Sequence, residues 1–242
     1  MTRSDGTLTA DSEAAGYEVE NLQDWQPFTY WKPATTGDHN AKIAFASNRE
    51  ANYFAFYSQD LYLHAGTIQL ESSDDNSTWT NRSGTITPTS NAPVYKSFPQ
   101  TFARYWRVRT NCATACAVGV VAFGVDLQLE YGAWIGFSPP IFARNNVVTN
   151  QTSEKSVFLA RSLDQNGSKL ILPLDFHREL WVRQYWLPFM DHADLKPFFY
   201  QWNPLDNPTE IAFCRTDKPL GRPTFSHADL MKFELSADAL LN

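Results

Sequence analysis

Three of the five histidines stand beside carboxylates, His177 between Asp175 and Glu179, His192 between Asp191 and Asp194, and His227 near Asp229. Such neighbours can bind a metal or move a proton, but the His-Glu-x-x-His spacing of helical zinc sites is absent. Cys214 lies in the alternating stretch Ile211–Arg215, where a packed thiol is a simpler reading than a nucleophile. No Gly-x-Ser-x-Gly elbow occurs. Asp74-Asp75-Asn76 offers oxygen ligands, yet a calcium loop needs further oxygens and a bidentate Glu, so the trio reads as a hairpin turn. Paired acids for glycoside cleavage depend on the fold to bring them together, and nothing in the sequence singles out a pair. The expectation is a protein that is not an enzyme and needs neither metal nor cofactor.

Composition narrows the partners. Acids outnumber bases 26 to 20 and the net charge is −6, with no block of Lys or Arg on any segment. Direct nucleic-acid recognition needs a basic stripe and is not expected. No apolar run is long enough to cross a bilayer. Residues 1–16 are polar and carry no apolar stretch of the secretory kind, so synthesis in a cytoplasm is expected. Cys112, Cys116 and Cys214 make an odd count without a signal, which argues against a disulfide framework. Cys112 and Cys116 could close a small ring around Ala-Thr-Ala, but free thiols are the preferred reading. The sequons at Asn76, Asn81, Asn150 and Asn166 mark exposed polar loops.

The elements that must position these residues are mostly strands. Gly66–Ser72 alternates Ile68 and Leu70 against Gln69 and Glu71. Tyr105–Arg109 puts Trp106 and Val108 on one face and Tyr105, Arg107 and Arg109 on the other. Trp79 is expected to re-enter the core after the 73–77 turn. Val118–Gly124 is a continuous apolar run fit for a central sandwich strand. Near Gly132 the character changes. Residues 145–152 read as extended and turn-rich, and Lys169–Phe176 reads as a strand with Leu170, Leu172, Leu174 and Phe176 on one face. The spacing predicts one helix over 177–193, with Asp175 as N-cap, a stripe that includes Leu180, Trp181, Trp186 and Leu187, and a kink at Pro188. Strands at 211–215 and 231–236 follow. The fold class expected is mainly β, with an N-terminal arm over 1–14, a sandwich over 15–130 and a second β domain over 131–242.

Two sets of residues carry a family resemblance. Tyr17–Asp24, Trp31, Ser73–Thr80 and Ala103–Arg109, in that order, resemble a discoidin-like (galactose-binding-like) jelly-roll sandwich. Joined to Tyr30–Pro33, Ser138–Pro140 and Phe189–Pro204, the chain is similar to minor tail and distal tail (baseplate) proteins of tailed bacteriophages, over about residues 14–240. The resemblance implies a tail-tube-type β-barrel or sandwich with one flanking helix in the second half. It further implies a virion protein that forms a homo-oligomeric ring, a hexamer by preference, around the tail axis. Tail tube, hub and fibre proteins would be its partners. Trp181, Phe198, Phe199, Tyr200 and Trp202 are then candidates for the subunit interface, with burial in their own core as the alternative for each. The resemblance also implies sugar-binding loops at one end of the sandwich, where Trp25, His39, Asp24, Gln59 and Asp60 are the candidates for contact with a host-surface glycan. Packing of Trp25 under its own loop and plain solvation of His39 stand against that role.

Overall fold

The computed structural model describes residues 6–133, 135–142, 147–151, 158–163 and 167–241, and side chains other than those of 143–167. Residues 1–5 of the expected arm, positions 145–146 and 152 of the extended stretch and the sequon at Asn166 lie outside the described residues. The chain divides into two compact units, Met1–Asp126 and Leu127–Asn242, and is mainly β.

The first unit holds β1 (Gly6–Ala10), β2 (Gly37–Gln59), β3 (Thr67–Ser73), β4 (Thr80–Asn81), β5 (Val94–Cys112) and β6 (Val118–Gly124). The antiparallel order is β1-β2-β5-β3-β4, and β6 pairs with the second half of β2. The two long strands do not run straight. Phe98 and Trp106 both lie on β5, where an extended strand would hold them about 26 Å apart, yet their rings are 6.3 Å apart. Register shifts between Ala44 and Arg49 and between Ala51 and Tyr53 of β2 supply the bends. Each long strand thereby serves two facing layers, and Trp106 packs on Phe98 and on Phe123 of β6. The result is a β-sandwich whose core includes Trp31, Ile43, Phe54, Ile68, Leu70 and Trp106.

Three expectations change in this unit. Residues 6–10, placed in the N-terminal arm, form an edge strand, because Leu8 and Ala10 alternate onto the core while Thr7 and Thr9 face out. Trp79 does not re-enter the core and is only half-buried. Cys112 and Cys116 are not free thiols but a disulfide with Cα atoms 6.2 Å apart. The chain reverses between the end of β5 and the start of β6, which brings the two residues inside the range a disulfide requires.

The second unit contains β7 (Val147–Gln151) paired with β8 (Phe158–Leu163), and a five-stranded antiparallel sheet. That sheet runs β10 (Phe198–Gln201), β11 (Ile211–Arg215), β13 (Leu230–Leu240), β12 (Thr224–His227), with β9 (Gly167–Arg178) along the other side of β13. Leu170, Leu172 and Leu174 face the core as the alternation predicts. Phe176 does not follow them. It adopts φ 63°, a β-bulge sets Asp175 and Phe176 of β9 against the single residue Lys232 of β13, and His177 turns inward in its place.

The helix begins after Arg178, with no side-chain cap; Asp175 instead accepts from the Phe176 amide at 2.8 Å. It runs Glu179–Trp181 as α, Val182–Trp186 as a π turn and Leu187–Ala193 as α. The expected break at Pro188 is this widened turn, closed by the Leu187 amide donating to the Val182 carbonyl. Val182, Trp186 and Ala193 bury against the sheet, whereas Leu180 and Leu187, read as part of the apolar stripe, point to solvent.

Candidate functional site

The turn after β3, residues 74–79, places the aromatic side chain that matters most. Asp75 Oδ1 accepts from Ser73 Oγ at 2.9 Å, the Ser77 amide at 2.9 Å and the Thr78 amide at 2.8 Å, while Oδ2 accepts from Thr78 Oγ1 at 3.1 Å. These bonds, the Thr78 and Ser77 amides foremost, hold the carboxyl far below the usual carboxylate range. Asn76 takes the left-handed conformation at φ 61°, which Asn tolerates. The turn is thus closed by its own donors and delivers Trp79 to the outward face of the β3–β5 pair.

There the guanidinium of Arg107 lies 4.3 Å from the Trp79 ring centroid. Arg107 Nε also donates to Glu71 Oε2 at 2.5 Å, and Gln69 Nε2 donates to Glu71 Oε1 at 2.5 Å. Glu71 is a charged group with only 4% of its surface exposed, so these donors are what permits its burial. Arg109 is bidentate on Asp38, at 3.2 and 2.8 Å, and its Nη1 stands 3.8 Å from Glu71. That fork draws the Asp38 carboxyl down and the Arg109 guanidinium up from their usual values. Strand register sets the row: Lys42 of β2 is directly across from Arg107 of β5, which is across from Glu71 of β3. The result is an outward face with a fixed aromatic plane, a fixed guanidinium and a line of polar groups.

The five residues proposed for sugar contact are placed differently. Trp25 adopts φ 63° and lines an apolar cleft with Leu8, Leu22, Ile43, Val121 and Phe123. Asp24 accepts from the Gln26 amide at 2.8 Å and from Thr29 Oγ1 at 2.7 Å, which closes the loop. His39 is nearly buried, with its ring nitrogens 3.1 Å from Thr35 Oγ1 and 3.3 Å from Asp11 Oδ1. Gln59 is buried and donates to the Ser90 carbonyl at 2.6 Å. Asp60 accepts from the Ala117 amide at 2.6 Å. Ser58 Oγ donates to the Pro27 carbonyl, which brings the 24–30 loop beside Gln59 and Asp60, while His39 is tied to Asp11 and Thr35. All five serve their own loops in part; Phe28, at the tip of the 24–30 loop, is 71% exposed.

In the second unit, Phe198 is buried edge-on to Phe189, and Phe199 packs on Phe213. Tyr200 and Trp202 both contact Phe137, and Trp202 Nε1 donates to Glu210 at 2.5 Å. Trp181 is half-buried over His177 and Tyr185. The strongly exposed apolar side chains are others, among them Leu180, Leu195 and Leu205.

The histidines and the free thiol have structural surroundings. His177 is fully buried, with no hydrogen-bond partner on either ring nitrogen among the described residues and with Tyr131, Trp181 and Phe233 around it. Burial lowers its pKa. Burial does the same for His192, whose Nε2 lies 3.2 Å from the Pro197 carbonyl. His227 is exposed on β12. Cys214 is buried, and burial pushes its thiol up. Among the described residues no three His, Cys, Asp or Glu side chains gather as a metal site. No described helix is long and apolar enough to cross a membrane.

Alternation alone put Arg107 and Arg109 on the outward face of their strand, but gave no sign that Trp79, Glu71 and Lys42 would join them. Those partners come from other strands, through a register that only the folded sheet fixes.

No family model matches the chain, and no curated protein matches its sequence. Solved structures similar to part of it include a pectin-binding carbohydrate-binding module, at 14% identity over 53% of this chain and 96% of that one, with a TM-score of 0.45. Another is CBM32-5 from Clostridium perfringens, solved in complex with GalNAc-beta-1,3-galactose, at 14% identity over 49% and 94%, with a TM-score of 0.43. A third is the CBM32 of AlyQ in complex with 4,5-unsaturated mannuronic acid, at 22% identity over 51% and 97%, with a TM-score of 0.42.

Proposed function

We propose that the first unit is a carbohydrate-binding module and that its site is the outward face of β3 and β5. The observation that carries this reading is Trp79 stacked with Arg107 beside the bonded Glu71, Arg109 and Asp38. A sugar offers an apolar ring face and a rim of hydroxyls. An indole held by a closed turn meets the first, and positioned charged groups meet the second, with little ordering left to do on binding. The role is binding rather than catalysis. Calorimetric titration of the full chain against a panel of oligosaccharides tests it: Trp79→Ala should abolish a measurable affinity, and silence of the unaltered chain across the panel would remove the reading.

A second reading concerns the second unit, in which the chain is a structural component of a bacteriophage tail tip, located in the virion and ringed around the tail axis. The observation in its favour is the solvent face of the helix, where Leu180 is 73% exposed and Tyr185 and Leu187 accompany it. Exposed apolar side chains of this kind are suited to burial against another subunit. Light scattering of the purified chain tests it, with a closed ring as the expected species and a monomer at high concentration as the contrary result. The two readings are compatible, since a tail-tip ring can carry a module that holds a host glycan.

A further inference from the structure

We propose that the glycan this face takes is acidic, an oligosaccharide bearing uronate carboxylates, with a carboxylate seated between Lys42 and Arg107. The inference rests on the carbohydrate-binding reading above and narrows its ligand.

The hydrogen-bond inventory of the face is lopsided. Both Glu71 oxygens are taken, by Arg107 and Gln69, and both Asp38 oxygens are taken by Arg109. Asp75 is used by its turn, and Asp11 accepts from the Asn40 amide and side chain. Asp74, the remaining carboxylate nearby, lies past the end of the β3–β5 ladder, which stops at Ser73 opposite Tyr105. The carboxylates along the row are therefore already satisfied as acceptors.

The donors are not. Arg107 uses Nε on Glu71, but neither of its Nη nitrogens donates to a protein group among the described residues. Lys42 makes no ion pair or side-chain hydrogen bond among the described residues, and its neighbour across the strand is Arg107 itself. Side chains directly opposite on an antiparallel pair start about 5 Å apart at Cβ, so the Lys42 ammonium and the Arg107 Nη nitrogens, which no described protein group uses, rise from neighbouring positions on the face. Two like charges so placed repel, and an anion bridging both relieves the repulsion while completing their hydrogen bonds. The Trp79–Arg107 stack beside them is where the sugar ring would lie. With a net charge of −6 the chain as a whole repels polyanions, so affinity for an acidic glycan would have to come from this local row.

Titrating the full chain by calorimetry with an oligogalacturonate and with the same oligomer after reduction of its carboxyl groups tests the inference. The acidic form should bind at least about tenfold tighter, the worth of one charge-assisted hydrogen bond, and weaken as salt is raised. Lys42→Gln should remove most of that difference, and the fold should tolerate it, since the side chain makes no ion pair or hydrogen bond among the described residues. Equal affinity for both oligomers, or indifference to Lys42→Gln, would overturn the acidic assignment and leave the carbohydrate reading standing. Binding of neither oligomer, nor of any other sugar in the panel, would overturn both.

Discussion

Arg107 and Glu71 form an ion pair in which the carboxylate is buried and the guanidinium also covers the Trp79 ring at 4.3 Å. The pair joins the stability of the sheet to the geometry of the binding face. Arg107→Ala leaves a buried carboxylate short of its main donor. Breaking a buried pair in this way costs about 3–5 kcal/mol where nothing else compensates. Here Gln69 still donates and Arg109 stands near, so the expected loss is about 2 kcal/mol in urea unfolding. Arg107→Ala combined with Glu71→Leu should recover part of it, because no buried charge then remains.

His177 predicts a pH dependence. Burial favours its neutral imidazole in the folded chain, outweighing the opposite pull of Glu130 and Asp175. The unfolded chain takes up a proton near the ordinary value of 6.5, and the folded chain does so only at lower pH. Between those two values the unfolded state binds more protons, so stability is full above about pH 6.5 and falls as the solution is acidified. Melting temperatures of the unaltered chain and of His177→Phe, followed from about pH 8 to about pH 5, should show the shallower slope in the variant. A residual slope is expected from His192, which burial shifts in the same direction.

Gly119 of β6 is packed against backbone. A Cβ there would lie 2.9 Å from the Ser58 carbonyl oxygen and 3.1 Å from that of Thr29. Carbonyls held in this arrangement cannot swing aside, and Ser58 already sits at φ 57°. Gly119→Ala should cost about 1–3 kcal/mol, read as a lower urea midpoint with an unchanged slope.

The Cys112–Cys116 bridge closes a short loop, and the chain-entropy model gives such a loop about 2 kcal/mol. Replacing both residues with Ser should lower stability by about that amount. Adding a reductant to the unaltered chain under unfolding conditions should reproduce the loss, since the sulfur atoms are buried in the native state.

Alternation read correctly wherever a strand packs one face, as at Ile68 and Leu70, Trp106 and Val108, and Leu170 to Leu174. It failed where a single residue changes the phase. The left-handed turn at Phe176 reverses the faces beyond it, so a histidine lies in the core and a phenylalanine outside, and no residue-type rule marks a phenylalanine for that conformation. Trp79 was misplaced because its fate depends on Arg107, remote in sequence and adjacent only after β3 and β5 pair. The disulfide was hidden for a related reason: its spacing is compatible with a ring or with free thiols, and the reversal between β5 and β6 decides. The binding row has the same character. Lys42, Glu71 and Arg107 come from three strands and are ordinary surface residues one at a time.

The widened turn ahead of Pro188 also sets a phase. Five residues, Val182–Trp186, occupy a stretch that closes with Leu187 bonded to Val182. Each helical residue advances the side-chain direction by about 100°. At the wider π spacing five residues turn the chain about as far as four do at the α spacing, so deleting one residue from that stretch would restore a regular α-helix and leave Phe189, Met190 and Ala193 facing the sheet they cover. A one-residue deletion within the widened turn should therefore be less damaging than one within Leu187–Ala193, where no extra residue is held and every later side chain would rotate by about 100°.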